Sequence, residues 1–219
     1  MHLIPKALVV GVFIPPAGVP GAPTVTADKI NRIWSKVAPE HGYRQLQAAP
    51  DGSAAQFLGT TPDTGVTIQP PLIQVRDLIG LDPGQSAESA AQVLKTIAQV
   101  LGTSQLFNLG VRHVYNVPID NNDARGFVLE RLLGGADRFE ELDLGGGLWG
   151  GTKIVTTDPT GSAYVLTVEP LQVDEMKSLY VDLDATFPGP LPSLDSVTDR
   201  AADARSFITE NVNRYLDSL

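Results

Sequence analysis

The chain of 219 residues contains no cysteine at all. That absence excludes disulfide bonds, thiolate catalysis and zinc–sulfur sites together. A chain without cysteine also suits the reducing cytosol, so we predict a cytoplasmic location.

Clustered positive charge is absent as well. The net charge is −9 and the isoelectric point is near 4.7, and no run of lysine or arginine interrupts this acidic balance. The average field of such a protein repels phosphate groups. We therefore predict that the chain binds no nucleic acid.

Long apolar runs are missing too. The longest uninterrupted run covers residues 7–14 and ends at Pro15 and Pro16. It is far shorter than the ~20 residues that a membrane helix needs. We interpret it as a first β-strand, the alternative being the secretory signal of an exported protein, and we predict no association with a membrane.

The composition that remains is that of a folded protein. Hydrophobic residues make up 42% of the chain and charged residues 19%, which is ordinary for a globular domain. A chain of this length is predicted to form a single domain, residues 1–219.

The strongest pattern covers residues 106–119, where apolar side chains recur at every second position. Its apolar members are Phe107, Leu109, Val111, Tyr115, Val117 and Ile119, with His113 as the interruption. A period of two with one polar face is typical of an antiparallel sheet covered on one side, so we expect helices to pack on the odd-numbered face.

Helical patterns alternate with groups of short strands. The first helix is predicted to begin at the cap Thr26, to bury Ile30, Ile33, Trp34 and Val37, and to end at Pro39. A second helix is predicted to begin at Ser86 and to end at Gly102, and a third to begin at Asn122. The last, covering residues 195–216, is predicted to face inward with Val197, Ala201, Ala204, Ile208, Val212 and Tyr215.

The order strand, helix, several strands, helix occurs twice. Strands are predicted near residues 43–48, 54–58, 66–69 and 72–75, and again near 148–156, 163–169 and 178–187. The fold class is therefore α+β, an antiparallel sheet with helices on one face. The element order suggests two similar halves, residues 1–102 and 103–219, although no repeat of individual residues supports them.

Two stretches resemble a known family. Residues 109–116, LGVRHVYN, resemble a G-L-R-Y-x-N strand, and residues 179–184, LYVDLD, followed by a long helix, resemble an L-D-L-D ending. Both motifs are similar to those of a sporadically distributed bacterial and phage family without an assigned function. The sequence departs from that pattern in placing His113 where the family commonly has an aromatic residue. The resemblance implies an α+β fold and supplies no activity.

Two carboxylates form the first candidate site. Asp182 and Asp184 are two residues apart in a predicted strand and therefore share a face with Tyr180. Paired carboxylates can bind a divalent cation or share a proton. The alternative is that they form a solvated strand face or are neutralised by an arginine on the neighbouring strand. We predict that Arg112 pairs with one of them.

His113 and Asn116 complete the candidate binding residues. Asn116 lies on the polar face of the strand that contains Arg112, whereas His113 interrupts the apolar face. A histidine in such a position is more often a hydrogen-bonded core or rim residue than a catalyst. No G-x-S-x-G motif supplies a nucleophile for it.

A glycine-rich segment, residues 144–153, contains Gly145, Gly147 and Gly150 at G-x-G-x-x-G spacing. A dinucleotide-binding loop must open a helix, and here a strand pattern follows. We interpret the segment as a connection or bulge and predict no cofactor.

These observations favour a non-enzymatic binding or assembly module that acts through a polar and aromatic sheet face, with a second copy or another protein as partner. The alternative is a metal-dependent hydrolase that uses Asp182 and Asp184 with Arg112. The predicted binding residues are Arg112, His113, Asn116, Tyr180, Asp182 and Asp184, with no catalytic residue and no metal ligand assigned.

Overall fold

The computed structural model describes residues 1–61, 64–77, 82–103, 106–142, 148–191 and 193–219, with only the backbone of Glu140 and Leu142. The strands in chain order are β1 Ile4–Phe13, β2 Gln45–Ala48, β3 Ala55–Leu58, β4 Gly65–Gln69, β5 Leu72–Asp77, β6 Asn108–Pro118, β7 Thr152–Thr157, β8 Ala163–Pro170 and β9 Ser178–Pro188. The α-helices are α1 Ala27–His41, α2 Pro83–Leu101, α3 Ala124–Phe127, α4 Ser196–Ser206 and α5 Asn213–Asp217. Turns of π-helix follow α3 at Val128–Leu132 and link α4 to α5 at Phe207–Val212, and 3-10 turns cover Ala136–Leu142 and Gln172–Asp174.

The described strands form one sheet of 9 strands in the order β2-β3-β4-β5-β1-β6-β9-β8-β7. Every neighbouring pair is antiparallel, which confirms the predicted fold class. The strands β1 and β6 begin the two predicted halves and lie side by side at the centre. That arrangement does not by itself show that the halves are similar, so their similarity stays a prediction.

Alternate residues of each central strand point to opposite faces of the sheet. In β6 the odd-numbered residues from Leu109 to Val117 are buried, and in β9 the odd-numbered residues from Leu179 to Phe187 are buried. These side chains share one hydrophobic core with the buried residues of α1, α2 and α4. The helices therefore cover the odd-numbered face of β6, as its period predicts.

The other side of the sheet is called the open face below. It carries the even-numbered residues of β6 and β9 and the residues paired with them on the neighbouring strands, and no described helix contributes its buried stripe to it.

Two helix boundaries differ from the sequence-based predictions. Thr26 caps α1 as predicted, but the helix continues past Pro39 to His41, and Gly42 at φ 70° forms the left-handed cap. Val37 and Ala38 are buried in this last turn, so packing outweighs the hydrogen bond that proline lacks. Trp34 is only half-buried, with its ring edge on Phe57.

The helix α2 starts one turn earlier than predicted. Asp82, and not Ser86, is its cap, because the Asp82 carboxylate accepts hydrogen bonds from the backbone N–H of Gly84 at 2.7 Å and Gln85 at 3.3 Å. Pro83 at the first helical position favours this start. Ser86 lies inside the helix and donates its hydroxyl to Asp77 at 2.5 Å. Gly102 ends the helix in the left-handed conformation, as predicted.

The later helices show two further corrections. Asn122 adopts φ 54° in a turn, and the cap of α3 is its neighbour Asp123, which accepts from Gly126 N at 2.8 Å. At the chain end Tyr215 is 38% exposed and Leu216 is buried instead. The π-helical turn before α5 has a wider turn than an α-helix, so the inward position shifts by one residue.

The predicted strands are all present, with ends that differ by a few residues. Phe107 is the clearest exception in the central pattern, because it precedes β6 and is 40% exposed. In the glycine-rich segment, Gly145 and Gly147 lie outside the described residues. Gly150 lies in the connection just before β7, which begins at Thr152. Within the described ranges, none of the helices has the length and apolar character required to cross a bilayer.

The cap at Asp82 can be tested by substitution. We expect Asp82→Ala to lower the free energy of unfolding by about 1 kcal/mol, because two backbone N–H groups of α2 lose their acceptor. Asp82→Asn keeps an oxygen acceptor and should retain most of the stability in urea unfolding. Equal losses in both variants would contradict the capping role.

Candidate functional site

The predicted site residues come from two neighbouring strands. In the register of β6 with β9, Arg112 lies opposite Asp184, Val114 opposite Asp182 and Asn116 opposite Tyr180. Directly opposed residues of an antiparallel pair point to the same side. The open face therefore brings together Arg112, Asn116, Tyr180, Asp182 and Asp184. It does not include His113.

Arg112, Asp182 and Tyr180 form a connected cluster. The guanidinium of Arg112 donates from Nε to Asp182 Oδ1 at 2.9 Å and from Nη2 to Asp182 Oδ2 at 2.6 Å. Nη2 also donates to the Tyr180 hydroxyl at 3.1 Å, and that hydroxyl donates to Asp182 Oδ2 at 3.1 Å. The predicted ion pair is thus confirmed. Its bidentate geometry is the strong form of an arginine–carboxylate contact.

The cluster changes the proton affinities of its members. Hydrogen bonding to Asp182 raises the pKa of Arg112 above its usual value and outweighs the opposing effect of burial. Burial, and then the charge of Asp182, raise the pKa of Tyr180. Arg112 therefore stays charged and Tyr180 stays protonated at physiological pH.

Asp184 is the second carboxylate of the predicted pair, and its environment differs from that of Asp182. Its pKa is raised, first because burial disfavours the charged form and then because Asp182 repels it, while Arg112 and Lys153 act in the opposite direction. No ion pair to Asp184 occurs among the described residues. Asp184 thus offers a carboxylate on the open face that is still able to accept a partner.

The arrangement is poorly suited to metal binding. Both oxygens of Asp182 already accept hydrogen bonds from Arg112, and a cation placed there would be repelled by the guanidinium. In the part of the chain that the structure describes, no group of three or more potential ligands is close enough to hold a metal ion. The described clefts of about 1100, 490 and 300 Å³ are lined by residues other than Arg112, Asp182 and Asp184.

His113 lies on the opposite side of β6 from Arg112. It is 1% exposed, and its Nε2 donates to the carbonyl oxygen of Ala201 in α4 at 3.3 Å. The burial lowers the pKa of His113 to about 4, against the smaller raising effect of that hydrogen bond. The histidine is therefore a neutral core residue that joins the sheet to α4. This agrees with the sequence-based interpretation of His113 as a hydrogen-bonded core or rim residue.

Sequence reasoning did not single out one residue of the open face. Arg76 lies beyond the predicted end of its strand, but β5 extends to Asp77 and places Arg76 opposite Val9, which is in turn opposite Arg112. The alternation of Leu72, Gln74 and Arg76 was the signal that could have found it.

The contribution of the ion pair can be measured with a double-mutant cycle. We expect Arg112→Gln and Asp182→Asn each to lower the free energy of unfolding, and the double variant to lose less than the sum. The Arg112 side chain is 47% exposed, so solvent screens the pair, and we expect a coupling energy of about 1 kcal/mol. Additive losses in urea unfolding would show that the pair contributes nothing.

The buried histidine predicts a pH dependence of stability. Because the pKa of His113 is about 4 in the folded chain and 6.5 for an exposed histidine, the unfolded chain binds more protons between these values. The free energy of unfolding therefore has its full value above pH 6.5 and falls as the pH drops toward 4. The difference between the two pKa values corresponds to a loss of up to about 3 kcal/mol.

The variant His113→Gln should flatten this part of the profile, measured as the urea midpoint at several pH values. His2→Gln is the control, because His2 is exposed near the N-terminus and lies outside the hydrophobic core. A profile that keeps its slope in His113→Gln would overturn the assignment.

Comparisons with known proteins supply no relative from which a function can be transferred. No protein-family model matches the chain. No curated protein matches it either. The family resemblance of the two strand motifs stays a prediction, and the functional argument rests on the geometry of the chain itself.

Proposed function

We propose that the protein is a non-enzymatic binding module that recognises a protein partner through the open face of its sheet. The observation that carries this proposal is the one-sided cover of the sheet. Helices α1, α2 and α4 bury the odd-numbered face, while a broad surface of the same sheet has no described helix against it. A sheet of this width with one uncovered face offers a broad surface on which a partner can pack.

The composition of the open face supports a protein partner. Across the central strands it combines the ring of Tyr180, the half-buried side chain of Val9 and the amide of Asn116, while Val114 beside them is buried. Lysine is rare on it, with Lys153 at the edge strand β7. Aromatic residues and arginine are enriched in protein interfaces, whereas lysine is depleted.

The cluster of Arg112, Asp182 and Tyr180 gives this face a fixed centre. Its three side chains hold one another by hydrogen bonds, so less side-chain entropy remains to be lost when a partner binds. Tyr180 is half-buried in the isolated chain, with part of its ring still accessible. The cluster thus resembles a preorganised recognition point more than a reaction centre.

The alternative of a metal-dependent hydrolase has no specific observation in its favour. It requires Asp182 and Asp184 to act together on a cation, and Arg112 already occupies the first of them. The proposal of a binding module therefore takes precedence.

The first test compares native particle masses. We expect the purified chain, and the chain in gently lysed cells, to sediment as a particle heavier than the 23.3 kDa monomer. Tyr180→Arg should shift that particle toward the monomer, because it adds a second guanidinium beside Arg112 and removes the ring. Thermal unfolding of the variant should still be cooperative.

Tyr215→Arg is the matched control. Tyr215 is an exposed tyrosine of α5 on the helical layer, so the same substitution there should leave the particle mass unchanged. A wild-type chain that is monomeric in the lysate and at high micromolar concentration would contradict the proposal. So would an equal effect of both substitutions.

A further inference from the structure

A row of residues across the centre of the open face ends in two charged groups that no described residue neutralises. Cross-strand register places Arg76 of β5 opposite Val9 of β1, Val9 opposite Arg112 of β6, and Arg112 opposite Asp184 of β9. Arg112 is neutralised by Asp182. Arg76 and Asp184, at the two ends of this row, form no ion pair with any described residue.

Arg76 is the less satisfied of the two. Its Nε is buried and has no hydrogen-bond partner in the part of the chain that the structure describes. A buried donor without an acceptor is unfavourable, and more so when the group is charged. Asp184 is exposed on the open face, and partial burial of its carboxyl and the charge of Asp182 raise its pKa, so a cationic partner would stabilise its charged form.

The positions of these two residues are related by symmetry. Neighbouring strands are about 4.8 Å apart, so Arg76 and Asp184 lie at equal distances on either side of the midline between β1 and β6. Consider a second copy whose open face lies against the first, related to it by a two-fold axis that runs parallel to the strands above that midline. The rotation brings the β9 side of one copy over the β5 side of the other. It would place Arg76 of each copy over Asp184 of the other.

We infer that the partner of the open face is a second copy of this chain, packed sheet against sheet about such a two-fold axis, with Arg76 and Asp184 forming two reciprocal ion pairs between the copies. This inference rests on the proposed binding function and names its partner.

The charge of the open face allows two acidic copies to approach. The chain as a whole has a net charge of −9, but the paired strand positions of the open face balance their charges. The basic members are Arg76, Arg112 and Lys153, and the acidic members are Glu169, Asp182 and Asp184. A balanced face avoids the repulsion that two copies would meet through the more acidic remainder of the surface.

The dimensions also suit a dimer. The four central strands β5, β1, β6 and β9 have 6, 10, 11 and 11 residues, and at a spacing of about 4.8 Å they present roughly 600 Å². A standard interface buries about 800 Å² on each partner. Sheet twist turns the outer strands away from a facing sheet, so the closest contact falls on the central strands, where the row lies.

Charge reversal tests the inference directly. In sedimentation equilibrium we expect the wild-type chain to dimerise and Arg76→Glu or Asp184→Arg alone to weaken dimerisation about 10- to 100-fold, because each places like charges opposite each other twice. The double variant Arg76→Glu/Asp184→Arg restores both pairs with reversed sign and should recover most of the affinity. Arg32→Glu, an exposed site on α1, changes the net charge as much as Arg76→Glu does and should have no effect.

The absence of cysteine provides a second readout that does not depend on affinity. Arg76→Cys and Asp184→Cys chains are mixed and treated with a thiol cross-linker that spans about 10 Å, the spacing of facing sheets. We expect cross-linked pairs from the mixture in preference to either chain alone. This readout also covers the case in which a charge-reversed variant fails to fold.

The outcomes separate this inference from the proposed function. The inference of a dimer with reciprocal ion pairs is overturned by any of three results. These are a monomeric wild-type chain, single charge reversals that do not weaken dimerisation, and a double variant that does not recover affinity. If Tyr180→Arg still removes a heavier particle from lysate in that case, the binding module stands and its partner is another protein. If Tyr180→Arg has no effect either, both proposals fail.

Discussion

The pairing of β1 with β6 is the contact on which the rest of the molecule depends. It joins segments about a hundred residues apart in the sequence, with Val9 opposite Arg112 at the centre of the pair. On its other edge β1 pairs with β5, and β6 pairs with β9. Because side chains alternate along every strand, this one register decides which residues enter the core and which reach the open face.

The register also determines the electrostatics of the open face. A shift of β6 by one residue would send Arg112 into the apolar core and turn His113 outward. In the observed register the arginine is diagonal to Asp182 and binds it with two hydrogen bonds, while the histidine reaches the carbonyl of Ala201. Charge is thus kept on the side where water or a partner can solvate it, and the neutral imidazole is kept where burial favours the neutral form.

The proposed recognition role of the open face rests on the state of its charged groups. Its central carboxylate is neutralised, its tyrosine stays protonated, and its second carboxylate and Arg76 form no ion pair within the described chain. Unpaired groups of opposite sign at symmetric positions are a reason for association, whereas catalysis would need a general base, a nucleophile or a metal ion held in a cleft. The balanced charge of this face also contrasts with the acidic character of the whole chain.

The local structure and the faces of the elements follow from the amino-acid sequence alone. Period-two patterns gave β6 and β9 their inward and outward residues, the Thr26 cap and Gly102 marked helix ends, and Arg112 could be matched to an aspartate on a neighbouring strand. These features follow from interactions between residues near in sequence or from the alternation of the backbone. Such interactions act in the same way in any fold.

Other features depend on contacts between residues distant in the sequence and therefore arise only in the folded chain. The helix α1 extends beyond Pro39 because Val37 and Ala38 are buried. Leu216 is buried in place of Tyr215 because a π-helical turn precedes α5. The row from Arg76 through Val9 and Arg112 to Asp184 involves four strands whose order no local pattern encodes. Strand order is selected by the packing of the whole sheet against its helices, and for that reason the alignment of Arg76 with Val9, Arg112 and Asp184 emerged only from the folded chain.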